Sequence, residues 1–454
     1  MGAGAVGMAV ADTLISDSNR TVAIVDRRHK PGGHWHDAYP FVRLHGPSAN
    51  YGVNSLHLGN DRIEESGLNQ GLFELATGDE IRSYLDQVMR QKLLPSGRVH
   101  YLPMHDMKEG GEATSMVTGR SSTLRWRRKL IDATVADTRV PSRCPPAFEV
   151  SEGVRLIPLN DLTELSEKPD MIVIIGGGKT ALDAVTWLLE NGADPDSISW
   201  VRPRDAWLLN RATVQPDYRF FEPTFGWFAA QWEACSRADN ADDIFLCLER
   251  EGFVRRLDSS ILPTMYRCAI VSDGEYALVK QIQNVIRLGR VKRIENGKVT
   301  LERGEFRTSG DTVFVDCSAC GIPRMAGQPV FQENRIVPQY VRQCAPTFSG
   351  ALIAKIELML EDDKSKNALC RPVPIPDRPA DILSMLYNKQ LNAVAWRQYP
   401  ELLEWLVESR LDQFTRMAVR ANSDQSPKVR KLRERNRAAI GPGMEALVRL
   451  LEGA

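Results

Sequence analysis

Two glycine-rich strings, GAGAVG at 2–7 and GGGKTA at 176–181, have the spacing with which a backbone closes around a pyrophosphate. Gly2, Gly4 and Gly7 give a GxGxxG pattern; Gly176, Gly178 and Ala181 give GxGxxA. Small residues there let the chain turn sharply, approach the ligand and present the free N–H groups of a following helix to negative charge. Such strings alone are weak signals, so their flanks decide. After the first, TVAIVD at 21–26 reads as a buried strand ending in Asp26, an acceptor for ribose hydroxyls. Around the second, MIVII reads as one buried strand, and SISWVRPR as the next, tipped by Arg202 and Arg204. Guanidinium forks suit a 2′-phosphate. The acid-tipped unit therefore reads as an FAD site and the arginine-tipped unit as an NADPH site.

A third cluster follows Asp26. GGHWHDAYPFVRLHG at 32–46 holds His34, His36 and His45, three of the seven histidines in the chain. A metal site needs convergent ligands, usually with a carboxylate or thiolate. Gly32 and Gly33 imply a loop instead, so no metal is expected. The stretch reads better as a pocket wall for a flat ring. Gly33 permits close backbone approach, Trp35 can stack, and His34 and His45 can serve as polar donors. Arg43 could pair with a phosphate or with the charge of a reduced flavin. Asn50, Tyr51 and Asn54 continue the wall with neutral hydrogen-bonding groups.

These residues need two sheets to carry them. The chain has 454 residues, enough for two or three domains, and its 58 basic residues balance 58 acidic ones. That balance gives no global attraction to nucleic acid or anionic lipid. Apolar runs are of strand length, so no membrane span is expected. Eight scattered cysteines and no leader-like opening suggest a cytoplasmic protein with free thiols. MGAGAVG begins where the strand before such a turn should have ended, so a longer native chain or a missing core strand is expected. The expected fold is α/β: two Rossmann-like dinucleotide-binding domains with a helical insertion and a C-terminal helical region. Residues 1–165 would form the first part of the FAD-binding domain and 166–288 the NADPH-binding domain with its insertion. Residues 289–372 would return to the FAD-binding domain, with a hairpin turning at Asn296-Gly297, and 373–454 would be helical.

The chain resembles the class B flavoprotein monooxygenases, which include flavin-containing monooxygenases and Baeyer–Villiger monooxygenases. GGHW at 32–35 is similar to the family's GG-x-W, and YPFVR at 39–43 to its YPxxR segment. DATVADTRVPSRCPPAFEV at 132–150 and DTVFVDCSACGIPRM at 311–325 resemble its two crossovers between domains. The resemblance implies an enzyme using FAD, NADPH, O2 and a small-molecule substrate. Its Asn50 or Asn54, with His45, would support a flavin hydroperoxide. The chain departs from the family at Val135, in a fingerprint segment with Phe148 and Gly153 but no histidine, and in lacking the Baeyer–Villiger aspartate. Ketone-to-ester chemistry is thereby disfavoured, and oxygenation at nitrogen or sulfur is expected. The alternatives are an NADPH-dependent flavin or disulfide reductase using Cys317 and Cys320, and a degenerate flavoprotein without catalysis. Oligomerisation stays open.

Overall fold

The apolar run at 171–175 becomes the middle strand of a five-stranded sheet in a computed structural model, which describes all residues except Ala136, Asp137, Arg139, Cys320, 322–326 and Ala454. The strands run in the order Val285–Ile286, Ile198–Val201, Met171–Ile175, Thr312–Asp316 and Arg155–Pro158, every pair parallel. A strand alternates its side chains between faces. Ile172 and Ile174 pack with Val185 and Leu188, whereas Val173 and Ile175 pack with Val291, Val299 and Leu301. Burial on both faces explains why the run has no polar interruption. The second cover is an antiparallel meander of Val291–Glu295, Lys298–Leu301 and Gly304–Arg307, with the expected turn at Asn296-Gly297.

The domain boundaries expected from sequence shift accordingly. Arg155–Pro158 precedes residue 165 yet joins the second sheet, and so does Thr312–Asp316 beyond residue 289.

The helices, in chain order, are α1 (Ala5–Ser16), α2 (Gly78–Val88), α3 (Lys179–Glu190), α4 (Phe221–Arg237), α5 (Ala241–Arg250) and α6 (Asp273–Val279). They continue as α7 (Pro346–Met359), α8 (Asp363–Leu369), α9 (Asp381–Trp396), α10 (Pro400–Glu408), α11 (Gln413–Ser423) and α12 (Pro427–Glu452). In the first unit the strand Val22–Asp26 pairs in parallel with Val99–Pro103. On its other side lies the backbone of Met1 and Gly2: Gly2 donates to the Val25 carbonyl at 2.9 Å and the Met1 amino group to that of Ile131 at 2.6 Å. Gly350 of α7 lets that helix pack closely against Val6 and Val10 of α1.

The insertion and the C-terminal region form one body. Trp227, Trp232 and Phe245 from α4 and α5 share a core with Ile382 and Leu386 of α9 and Leu447 of α12. Gly443 of α12 lies against the backbone of Trp232, where a Cβ would come within 2.6 Å of a carbonyl oxygen. A side chain there would push the two helices apart.

Candidate functional site

The second glycine string forms the expected strand–turn–helix, from Met171–Ile175 into α3, whereas the first is a turn leading into α1 with its strand, Val22–Asp26, following it. In the first, Gly4 caps α1 without any side-chain bond to the first-turn N–H groups. Gly7 is fixed by contact: a Cβ would sit 2.1 Å from the Gly2 carbonyl oxygen. Gly33 lies against Gly4. Asp26 ends its strand with one carboxylate oxygen on the Ala3 N–H at 2.6 Å and the other on the Arg28 N–H at 2.7 Å. Each oxygen keeps lone-pair capacity for a further donor. In the second, Gly178 caps α3, again without a side-chain bond. Gly176 has φ +138°, and a Cβ there would meet the Cys317 carbonyl oxygen at 2.6 Å. Ala181 is fully buried beneath the sheet.

A single cavity of about 2020 Å³ joins the two units. Gly2, Gly4, Asp26 and Gly33 line one end, and Thr180 and Cys317 bring the start of α3 and the neighbouring strand end into the same space. His34, Trp35, Arg43, His45, Asn50 and Tyr51 line its middle. The Trp35 indole donates to the Tyr51 hydroxyl at 2.8 Å, and His34 stacks on Trp35 with ring centres 5.2 Å apart. His34 lines the cavity with its side chain exposed to it. Desolvation, aided by the positive charge of Arg28, pulls its pKa down to about 4. Burial likewise depresses His45, with Lys179 and Arg211 adding to the effect, so both rings are neutral at pH 7. Asn50 donates to the Val214 carbonyl at 3.2 Å, and its amide oxygen has no partner among the described residues.

A buried charge network fixes the meeting of the two units. Tyr39, from the loop after Asp26, donates to Asp183 of α3 at 2.5 Å. Asp183 also pairs with Lys179, and Lys179 approaches Glu275 at 3.8 Å. The fully buried Arg211 pairs with Glu275 at 2.5 Å and donates to the His45 carbonyl at 2.8 Å. Burial pushes the Glu275 carboxyl up, but Lys179 and Arg211 outweigh it and hold its pKa below the usual value.

Several sequence expectations need correction. Asn54 is not at the cavity: its side-chain oxygen accepts from Ser409, 2.8 Å away, tying the loop to the C-terminal helices. Arg43 lines the cavity, yet its guanidinium is committed to Glu64 at 3.0 Å and the Leu75 carbonyl at 3.2 Å. Arg202 is buried over the Trp200 ring and lies 3.4 Å from Asp205, with burial lowering its pKa to about 10. Arg204 binds Asp377 at 2.9 Å and the Thr264 carbonyl at 2.6 Å. Neither arginine lines the cavity, although the Arg202 Nε has no partner among the described residues. Cysteine pairing also differs from expectation. Cys268 and Cys344 form a disulfide, and both line the cavity. Cys317 is a free thiol whose pKa burial raises strongly, and Cys320 lies outside the described residues. Among the described residues no group of three or more His, Cys, Asp or Glu could hold a metal ion, and no helix is long and apolar enough to cross a membrane.

The residues fit two dinucleotides. Uncapped helix starts, glycines whose Cβ positions are filled by backbone, and a carboxylate at the first strand tip suit pyrophosphate and ribose. Nothing in the sequence pointed to Arg211, Glu275 or the Cys268–Cys344 pair, because each acts through a partner distant in the chain.

The family model for NAD(P)-binding Rossmann-like domains matches residues 1–65. Two relatives, both described as uncharacterized proteins, are Rv2000 of Mycobacterium tuberculosis and Mb2023 of Mycobacterium bovis. Each is 42% identical over 412 residues, covering 91% of this chain and 76% of the relative. Among solved structures, OTEMO in complex with FAD and NADP aligns at 12% identity and TM-score 0.49, over 98% of this chain and 97% of that one. A flavin-containing monooxygenase from Stenotrophomonas maltophilia aligns at 13% identity and TM-score 0.41, over 87% of this chain and 97% of that one.

Proposed function

The chain belongs to one family with these mycobacterial proteins, and we propose that its shared cavity supports an FAD- and NADPH-dependent monooxygenation of a small molecule at nitrogen or sulfur. In balance, substrate, O2, NADPH and a proton give the oxygenated substrate, NADP+ and water. The observation that carries this reading is one cavity that is lined by the first glycine turn with the uncapped start of α1 and that also reaches Thr180 in the first turn of α3 and Cys317 beside it. FAD, when bound, supplies electron transfer from the nicotinamide and reaction with O2.

The chain itself supplies binding and enclosure. Asp26 would hold the ribose of the first dinucleotide, and the N–H groups at Gly4 and Ala5 its pyrophosphate. Gly176, Gly178 and Ala181 would shape the second pyrophosphate site. Trp35, oriented by Tyr51, walls the ring region, and Asn50 and the neutral His45 offer hydrogen bonds without charge. The test is NADPH-dependent oxygen uptake by the purified yellow protein. Uptake that rises with substrate, without matching peroxide release, is expected. A colourless protein, or peroxide equal to NADPH consumed, would overturn the reading.

A second reading is favoured by one observation, the Cys268–Cys344 disulfide in the cavity wall. A reductase would pass two electrons from NADPH to that bond, which with two protons gives two thiols. A Cys268→Ser, Cys344→Ser double variant that still oxygenates substrate would exclude it.

A further inference from the structure

Beyond the ring region the cavity extends into a chamber between the insertion and the C-terminal helices. Phe225 and Phe228 of α4 meet edge to face at 5.5 Å, and Phe414 of α11 meets Phe228 likewise at 5.0 Å. Trp232 continues the same wall.

Into this apolar wall α9 brings Lys389, whose ammonium nitrogen lies 4.7 Å from the centre of the Phe228 ring. Its hydrogen bond among the described residues goes to the side-chain oxygen of Gln231, at 3.4 Å. Gln231 is itself 1% exposed, and its amide nitrogen has no partner there. Several other enclosed cations among the described residues have carboxylates, whereas Arg410 is held by the Tyr51 carbonyl. Lys366 has Glu357 at 2.6 Å, Arg211 has Glu275 at 2.5 Å, and Arg342 has Asp412 at 2.7 Å. No carboxylate among the described residues lies within ion-pairing distance of Lys389. Among the described residues no Asp or Glu lines the chamber either; the described acids lining the cavity are Asp26, Asp37 and Asp106, toward its dinucleotide end. An enclosed amine without a counter-charge is costly unless a ligand supplies one.

We propose that this chamber binds an aromatic or otherwise apolar carboxylic acid, with its carboxylate on Lys389 beside Gln231 and its body against Phe225, Phe228, Trp232 and Phe414. This deepens the monooxygenase reading, on which it rests, by naming the substrate class: an acid whose nitrogen or sulfur lies away from the anchored end. Burial, with Arg342 nearby, lowers the Lys389 pKa to about 7, so a bound carboxylate would favour its protonated form.

The probes are phenylacetate, phenylpropionate and phenylbutyrate, each titrated calorimetrically into the holoprotein beside its primary amide. At least one acid should bind about tenfold or more tightly than its amide, since a charge-assisted bond replaces a neutral one. Lys389→Met should remove that preference, and Lys389→Arg should restore part of it. Because the methionine replaces a desolvated amine with an apolar chain of similar length, its thermal midpoint should equal or exceed that of the parent protein. Equal affinity for acid and amide, no binding by any probe, or an undiminished preference in a folded Lys389→Met variant would overturn the inference. Flavin content and NADPH oxidation measured on the same parent sample separate the two readings. If acid preference fails while substrate-free NADPH oxidation persists, only the substrate class falls. If flavin is absent while the Lys389-dependent preference persists, the oxygenation reading falls and the acid site stands.

Discussion

The two glycine turns share a backbone plan but differ at their strand tips. Among the described residues Asp26 accepts from the backbone N–H groups of Ala3 and Arg28, and it lines the cavity. Arg202 is enclosed with Asp205, and Arg204 is bound to Asp377. Asp205 is claimed twice, since Arg287 also reaches it at 2.9 Å. A strand-tip residue therefore reports its ligand only when neighbouring loops leave its polar atoms available. At the first tip they do; at the second, Asp205 faces Arg202, while Thr264 and Asp377 hold Arg204.

The sharpest way to break this comparison is to obstruct each turn separately. Gly7→Ala places a methyl group 2.1 Å from the Gly2 carbonyl oxygen, a distance no packing tolerates. Its purified protein should hold less than about a tenth of the parent's flavin, read from absorbance, because helix and turn can no longer meet. Gly176→Ala meets the Cys317 carbonyl oxygen at 2.6 Å on left-handed backbone. It should stay yellow yet lose NADPH-driven flavin reduction. Equal loss of flavin in both variants would mean the turns do not act as separate sites.

Next in size is the junction between the units. Arg211→Met leaves Glu275 enclosed with the Ser272 N–H at 2.8 Å and, as its cation, the more distant Lys179 at 3.8 Å. Breaking such a pair from one side costs about 3–5 kcal/mol, measurable by urea denaturation. Smaller again is the coenzyme choice. With Arg202 and Arg204 both committed, kcat/KM for NADPH and NADH should differ by less than about tenfold, and Asp205→Asn, by loosening Arg202, should shift the ratio toward NADPH. A parent enzyme that strongly prefers NADPH would show that the arginine pairs open when coenzyme binds.

What was legible in the sequence follows the same division. The MIVII strand, the glycine spacing and the Asn296-Gly297 turn depend on neighbours within a few residues, so local pattern suffices. Asp26 was legible because its partners are the adjacent turn and its own strand end. Arg204 was misread because Asp377 lies 173 positions away. Asn54 was misread for the same reason, with Ser409 lying 355 positions away. Lys389 looks like any helical lysine in sequence; only the packing of α9 against α4 shows it without an acid. The insertion and the C-terminal helices carry no motif, since their chemistry arises where they meet.

The smallest expected effect lies at the first site and concerns pH. His34 has its pKa lowered to about 4 by desolvation and Arg28, against an ordinary value of 6.5. In the unfolded chain the ring takes up a proton as pH falls below 6.5, while in the folded protein it resists until about 4. The unfolded state thus binds more protons through that window, so stability is full above pH 6.5 and declines as pH falls toward 4. His34→Gln removes this contribution and should flatten the decline, leaving stability above pH 6.5 little changed; urea midpoints at pH 7 and pH 4.5 measure both. Flavin should sharpen the contrast, because filling the cavity beside His34 removes the remaining solvent and makes protonation harder still. The difference between parent and variant should therefore be larger in holoprotein than in protein stripped of flavin. A difference that vanishes on flavin binding would place His34 in contact with an anionic group of the cofactor, where protonation helps rather than harms.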